Sequence, residues 1–258
     1  MSRPKLRPLL AAFLASSLGL TFAGAASFQD VPTVRQKDTK VDFPVRIQPV
    51  PTDAPDAKPG AEEHLVGTAL RDKTIFGVDV YAYALYLEPR AAQANLARWG
   101  DATAKQLAKD DAFYTAIYAG EPIAKTMRLV FVRNVDGEDV AEAFEGSLAP
   151  RVRKAKDSLE LGDGTAALAT FKGYFSLDKL RKGNMVEFSI DTNGRLTTRV
   201  AGQVMPAIDS PALAWALIDT FIGDDPIEDK GKRDLVSMVP ELLDRELPPA
   251  PAEGNSEN

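Results

Sequence analysis

Between Gly67 and Pro89 the chain reads GTALRDKTIFGVDVYAYALYLEP. Val78, Val80, Ala82, Ala84 and Tyr86 alternate with Asp79, Tyr81, Tyr83, Leu85 and Leu87, the period-two pattern of a strand. Both sets are largely apolar or aromatic, so this strand is expected to be covered on both faces. An earlier extended run, His64–Leu70, leads into Arg71. Glu62–Leu70 and Asp79–Leu87 are predicted to be two strands joined through Lys73–Gly77. Tyr81 and Tyr83 leave the same face of their strand, and a buried tyrosine hydroxyl needs a polar partner. An arginine entering a mostly apolar sheet must be paired or must face a ligand. Two readings stay open: Arg71 and the two tyrosines look into one cleft, or Arg71 is a solvated residue at a strand end.

The remaining pattern supplies the other elements. Residues 26–40 are polar and aperiodic and read as a flexible leader. Val41–Ile47 alternates as a first strand, which Pro44 places at a sheet edge. The Pro/Asp/Ala-rich stretch Pro49–Gly60 is a loop. Arg90–Trp99 and Thr103–Gly120 are predicted helices, with Asp101 as a candidate N-cap. Lys125–Val135 returns to strand. Asp136-Gly137 turns into a helix whose Val140, Phe144 and Leu148 form one buried stripe. A short helix, Thr165–Phe171, follows the break at Gly162–Gly164. Met185–Val204 is a hairpin with Asn193-Gly194 at its turn. Ser210-Pro211 opens another helix, with serine at N-cap and proline at N1. A last amphipathic helix, about Lys232–Leu243, is interrupted by Pro240, and the Pro- and Glu-rich end is a disordered tail. Strands and helical runs in this order predict an α+β fold, an antiparallel sheet with helices on one face.

Composition narrows the chemistry. The 258 residues contain no Cys and one His. Thiol nucleophiles, disulfides and Cys-metal sites are therefore excluded, and a multi-His metal site is impossible. His64 reads as a surface or strand-edge residue. No cofactor is expected, because P-loop, G-x-S-x-G, H-E-x-x-H and dinucleotide motifs are absent. The acidic groups Asp224-Asp225 and Glu228-Asp229 read as a solvated loop. Arg3, Lys5 and Arg7, the apolar Leu9–Phe22 and the small-residue site Ala23-Gly24-Ala25 form a secretory signal pattern over residues 1–25. Its cleavage would deepen the formal net charge of −6 and place the protein in the periplasm or outside the cell. No later segment is long enough to span a membrane, and an acidic chain offers no footprint for nucleic acid.

The string from Gly67 through Arg71 to Tyr86-Leu87-Glu88 resembles the N-terminal motif of the chalcone isomerase family. Lys125–Val135, with Thr126-Met127-Arg128-Leu129, is similar to the family's strand before its central helix. Phe175–Gly202 matches the family hairpin, and Leu213–Pro226 its late helix. With the signal pattern, the chain resembles the bacterial branch. The resemblance implies an open-faced β-sandwich over residues 41–245, followed by the tail 246–258. It also implies a cleft in which Arg71 matches the arginine that steadies a phenolate in the plant enzymes. Tyr81 matches a threonine of those enzymes. Their tyrosine and asparagine at the start of the central helix fall at Asp136 and Ala143, which cannot do the same work. Non-catalytic relatives bind fatty acids through the arginine. The resulting expectation is a non-catalytic protein that holds a small amphipathic carboxylate or phenolate through Arg71, Tyr81 and Tyr83. The alternatives are a chalcone-flavanone isomerase, an intramolecular lyase, and a structural or partner-binding module with a filled cleft.

Overall fold

The computed structural model describes residues 31–49, 60–72 and 79–248. The expected signal segment, most of the loop after Pro49, the 73–78 connection and all but the first residues of the tail lie outside them. The first strands are β1 (Thr33–Arg35), β2 (Asp42–Pro44) and β3 (Arg46–Ile47). They precede the long pair β4 (Glu63–Asp72) and β5 (Asp79–Leu87). The helices α1 (Pro89–Asn95), α2 (Ala104–Leu107) and α3 (Asp111–Tyr118) lead to β6 (Lys125–Phe131) and β7 (Val135–Asp136). The long α4 (Gly137–Leu159) and α5 (Thr165–Gly173) follow, then β8 (Lys179–Leu180), β9 (Met185–Ile190), β10 (Arg195–Val200), β11 (Gln203–Val204) and β12 (Ile208–Asp209). The helices α6 (Pro211–Ile222), α7 (Asp229–Asp234) and α8 (Val239–Leu243) complete the order. Seven strands run β11-β10-β9-β6-β5-β4-β3, with β12 beside β10, and every pairing is antiparallel. The fold is thus the α+β sheet with helices that the pattern predicts.

The period-two alternation sorts side chains between two faces. Tyr83, Leu85, Leu87, Met127, Leu129 and Phe188 face the helices and join Val140, Phe144 and Leu148 of α4 in the main core. The helix α6 is buried on all sides from Ala212 to Ile222, as expected of a helix with no polar stripe. Ala82, Ala84 and Tyr86 face the other way and pack with Phe43, Ile47 and Leu65. Farther along that second face, Glu187 holds both Arg128 and Arg199, and Thr126 meets Ser189 at 2.8 Å.

Several expectations need correction. The leader is not featureless: Thr33–Arg35 pairs with Asp42–Pro44. The Gln36 Oε1 closes the turn between them by accepting from the N–H groups of Asp38 and Thr39. So short a strand, exposed at both ends, shows no periodicity. The helix read over 103–120 is two helices. Thr103, not Asp101, caps the first in a reciprocal box with Gln106. Asp110 restarts the chain by accepting from Phe113 N–H and from the Trp99 indole at 2.7 Å. The last helix is also two, because Pro240 lacks an N–H and is tolerated only in the first turn of α8. His64 is buried rather than on the surface. Its Nδ1 accepts from Arg245 at 2.9 Å while Nε2 meets Glu62 at 3.1 Å. Burial first, and Arg245 as well, keep this imidazole below its ordinary pKa. The Asn193-Gly194 turn and the Ser210 cap form as expected, with Gly194 at φ +77° and the Ser210 hydroxyl accepting from Leu213 N–H.

Candidate ligand cavity

In the β4–β5 pair Arg71 lies opposite Tyr81, and Tyr81 lies opposite Phe131 of β6. The three side chains therefore leave one face, the one turned toward α4 and α6. Between sheet and helices they line a cavity of about 470 Å³. That volume falls within the range of small-molecule sites, roughly 300–1,000 Å³. The cavity's apolar lining is Val80, Val140, Ala143, Phe144, Phe221 and Ile227. Charged and polar groups (Arg133, Asn134, Asp136, Asp139 and Lys179) also line it.

Arg71 is partly exposed, its side chain at 28% of full accessibility. One guanidinium nitrogen donates to the carbonyl of Ile227, and the nearest carboxylate, Glu228, stands at 3.7 Å. A guanidinium carries five N–H donors, so these contacts leave capacity for an anion. The loop presenting Ile227 and Glu228 is fixed from behind. Ile227 N–H donates to Thr220 O at 2.9 Å, Lys232 donates to Gly223 O at 2.8 Å, and Arg151 of α4 bonds Asp219 of α6 at 2.9 Å. Arg151 also donates to the carbonyl of Asp225. A buried ion pair thus joins the two roof helices and sets the loop that faces Arg71.

The tyrosines part company. Tyr81 lines the cavity, and burial holds its hydroxyl protonated, well above the usual phenol range, despite the opposing effect of Arg71. Tyr83, expected beside it, does not line the cavity. It is fully buried, packed on Phe221 at 5.4 Å and on Tyr81 at 5.7 Å. A Cβ on Gly231 would lie 1.8 Å from the Tyr83 hydroxyl, so only glycine lets α7 close over this ring. The same-face rule is obeyed; what the sequence did not show is the lid that α7 lays over the second tyrosine.

Asp136 and Ala143 both line the cavity. Asp136 is the residue before α4, and its carboxylate meets Lys179 at 3.3 Å across the β7–β8 pair. Asn134 also lines it, with its side-chain oxygen accepting from Lys182 N–H. The sequence reading missed Arg133 and Lys179 as cavity cations. Arg133 stands near the end of the predicted strand, and Lys179 reaches the cavity only through the two-residue strand β8. Thr220 was missed as well; its hydroxyl is spent on the Ala216 carbonyl at 2.8 Å. No cluster of metal-ligating side chains occurs among the described residues.

A family model described as chalcone isomerase-like matches residues 52–237. The chain belongs to the chalcone isomerase-like family. Within it, fatty-acid-binding protein 2 of Arabidopsis thaliana is 27% identical over 85% of this chain, which spans about half, 54%, of that relative. Chalcone–flavanone isomerase of Zea mays is 28% identical, with 74% of this chain and 87% of the relative covered. The crystal structure of a fatty-acid binding protein of Arabidopsis thaliana superposes with a TM-score of 0.64 at 22% identity, over 82% of this chain and 99% of that one. At that identity the likeness speaks for the fold, a family sheet with its helical layer.

Proposed function

We propose that the protein binds a small amphipathic carboxylate of the fatty-acid class and does not catalyse ring closure. The observation that carries this reading is the cross-strand pair Arg71–Tyr81 at the wall of a cavity that also offers an apolar lining, Val80, Val140, Ala143, Phe144, Phe221 and Ile227. A charge-assisted guanidinium contact and a neutral phenol donor suit a carboxylate head, and the apolar lining suits a hydrocarbon chain. The family relatives named as fatty-acid-binding proteins support the same choice. Isomerase relatives keep an intramolecular lyase in view, but Asp136 and Ala143 argue against it. A carboxylate at Asp136 would oppose a developing oxyanion, and a methyl group at Ala143 donates nothing.

Native mass spectrometry of the purified protein, before and after delipidation, tests the reading. A co-purified species of fatty-acid mass that returns on adding palmitate is expected. A delipidated protein that takes up no fatty acid, or Arg71-dependent cyclisation of a chalcone well above the spontaneous rate, would contradict it. The reading includes export, supported by the pattern of residues 1–25. Mature protein from the periplasm should begin at Ala26 or Ser27, and an intact Met1 on exported protein would refute that part.

A further inference from the structure

A second cleft, of about 390 Å³, lies where β6 begins rather than where it ends, and shares no lining residue with the first. Its walls come from the loop after α3, the β9–β10 turn, the end of α4 and the first turns of α6. Two donors on nearly buried residues belong to it. Lys125 is 8% exposed, and its amine makes no hydrogen bond or ion pair among the described residues. Trp215 is 6% exposed, and its buried indole N–H has no acceptor among the described residues. The unmade bond at the buried Trp215 N–H is a cost that an arriving acceptor removes, and the Lys125 amine adds a cation at the cleft wall. The other groups sharpen the choice of ligand. Tyr118 packs on Trp215 with ring centroids 6.0 Å apart, beside apolar Ile123 and Ile190. Of the acids, Asp191 is occupied by the N–H groups of Asn193 and Arg195, and Glu121 is exposed. Burial draws the Lys125 amine down to about 8, which leaves it mostly an ammonium at neutral pH.

We infer that this cleft is a second ligand site, taking a planar aromatic carboxylate of one or two rings, with the Lys125 ammonium and the Trp215 indole N–H as its donors. The site is independent of the fatty-acid reading. The probe is 1-naphthoate, titrated into the full protein while the Trp215 indole N–H resonance, identified by its loss in Trp215→Phe, is followed by NMR. The resonance should shift and saturate, and the neutral 1-naphthalenemethanol should bind at least about tenfold more weakly, as the loss of one charge-assisted bond requires. Lys125→Met should weaken naphthoate by a similar factor and leave the alcohol nearly unchanged. Should that variant fail to fold, the acid–alcohol difference in the unaltered protein carries the test alone. Arg71→Met, or saturation with palmitate, should leave naphthoate affinity unchanged, which separates this site from the first cavity. An indole resonance unmoved at millimolar naphthoate, equal affinity for acid and alcohol, or displacement of naphthoate by palmitate would overturn the inference.

Discussion

Two arginines rise from the same sheet on opposite faces. Arg128, on β6, gives both Nε and Nη2 to one oxygen of Glu187, at 3.0 and 2.6 Å, and lies over the Tyr86 ring at 5.4 Å. Its partner sits on the adjacent strand, in direct register, and the pair is nearly buried. Arg71, on β4, has a loop carbonyl and a carboxylate at 3.7 Å, and beside it lies the cavity. One guanidinium is held in direct contact by a carboxylate on the neighbouring strand and serves the fold. The other is held in place by a loop while part of its donor set faces the cavity. The difference lies in where the carboxylate stands: on an adjacent strand, or on a connection that follows the end of a helix.

The largest expected effect breaks the paired side. Glu187→Ala strips the partner from Arg128 and Arg199 together and should cost about 3–5 kcal/mol in urea unfolding. A loss under about 1 kcal/mol would mean that this network is solvated and that the contrast with Arg71 fails.

Glu63, also on β4, sharpens the same side, because it is buried with one carboxylate oxygen unpartnered among the described residues. Burial raises its carboxyl from 4.5 to about 8. A group whose folded pKa is raised holds a proton that the unfolded chain releases. Stability is then greatest below about 4.5 and falls as pH climbs through about 8. Glu63→Gln should remove that slope and stabilise the protein by roughly 1–3 kcal/mol near pH 7.5, the scale of one buried unsatisfied polar group. Parallel stability–pH curves for the two proteins between pH 5 and 8 would contradict this.

On the open side, Glu228→Gln should change stability by less than about 1 kcal/mol, as a half-exposed pair does. Palmitate should bind several-fold more tightly to the variant, because a competing carboxylate is gone. Unchanged or weaker binding would mean that Glu228 orients Arg71 rather than competing with its ligand.

Much of this was legible in the chain. The alternation through Tyr81, Tyr83 and Leu85 announced a strand covered on both faces, and the Val140–Phe144–Leu148 stripe announced the helix above it. Arg71 and Tyr81 could be paired on paper because a hairpin leaves few registers. Tyr83 could not be excluded that way, since its covering comes from Gly231, far along the chain, and no local pattern reports that approach. Lys179 was hidden for a similar reason: β8 has two residues, too few to show a period, while Arg133 stands past the end of β6, where the alternation has stopped.

The central claim is that Arg71 recognises an anionic head and does not merely support the sheet. Isothermal titration of Arg71→Met with palmitate and with hexadecanol tests it, since methionine keeps much of the apolar stem. The acid should lose about 1.5–3 kcal/mol, roughly ten- to a hundredfold in affinity, while the alcohol changes little. Tyr81→Phe should cost the acid about 1 kcal/mol, as one neutral hydrogen bond does. Equal losses for acid and alcohol in Arg71→Met would contradict the claim and leave Arg71 as a structural residue like Arg128.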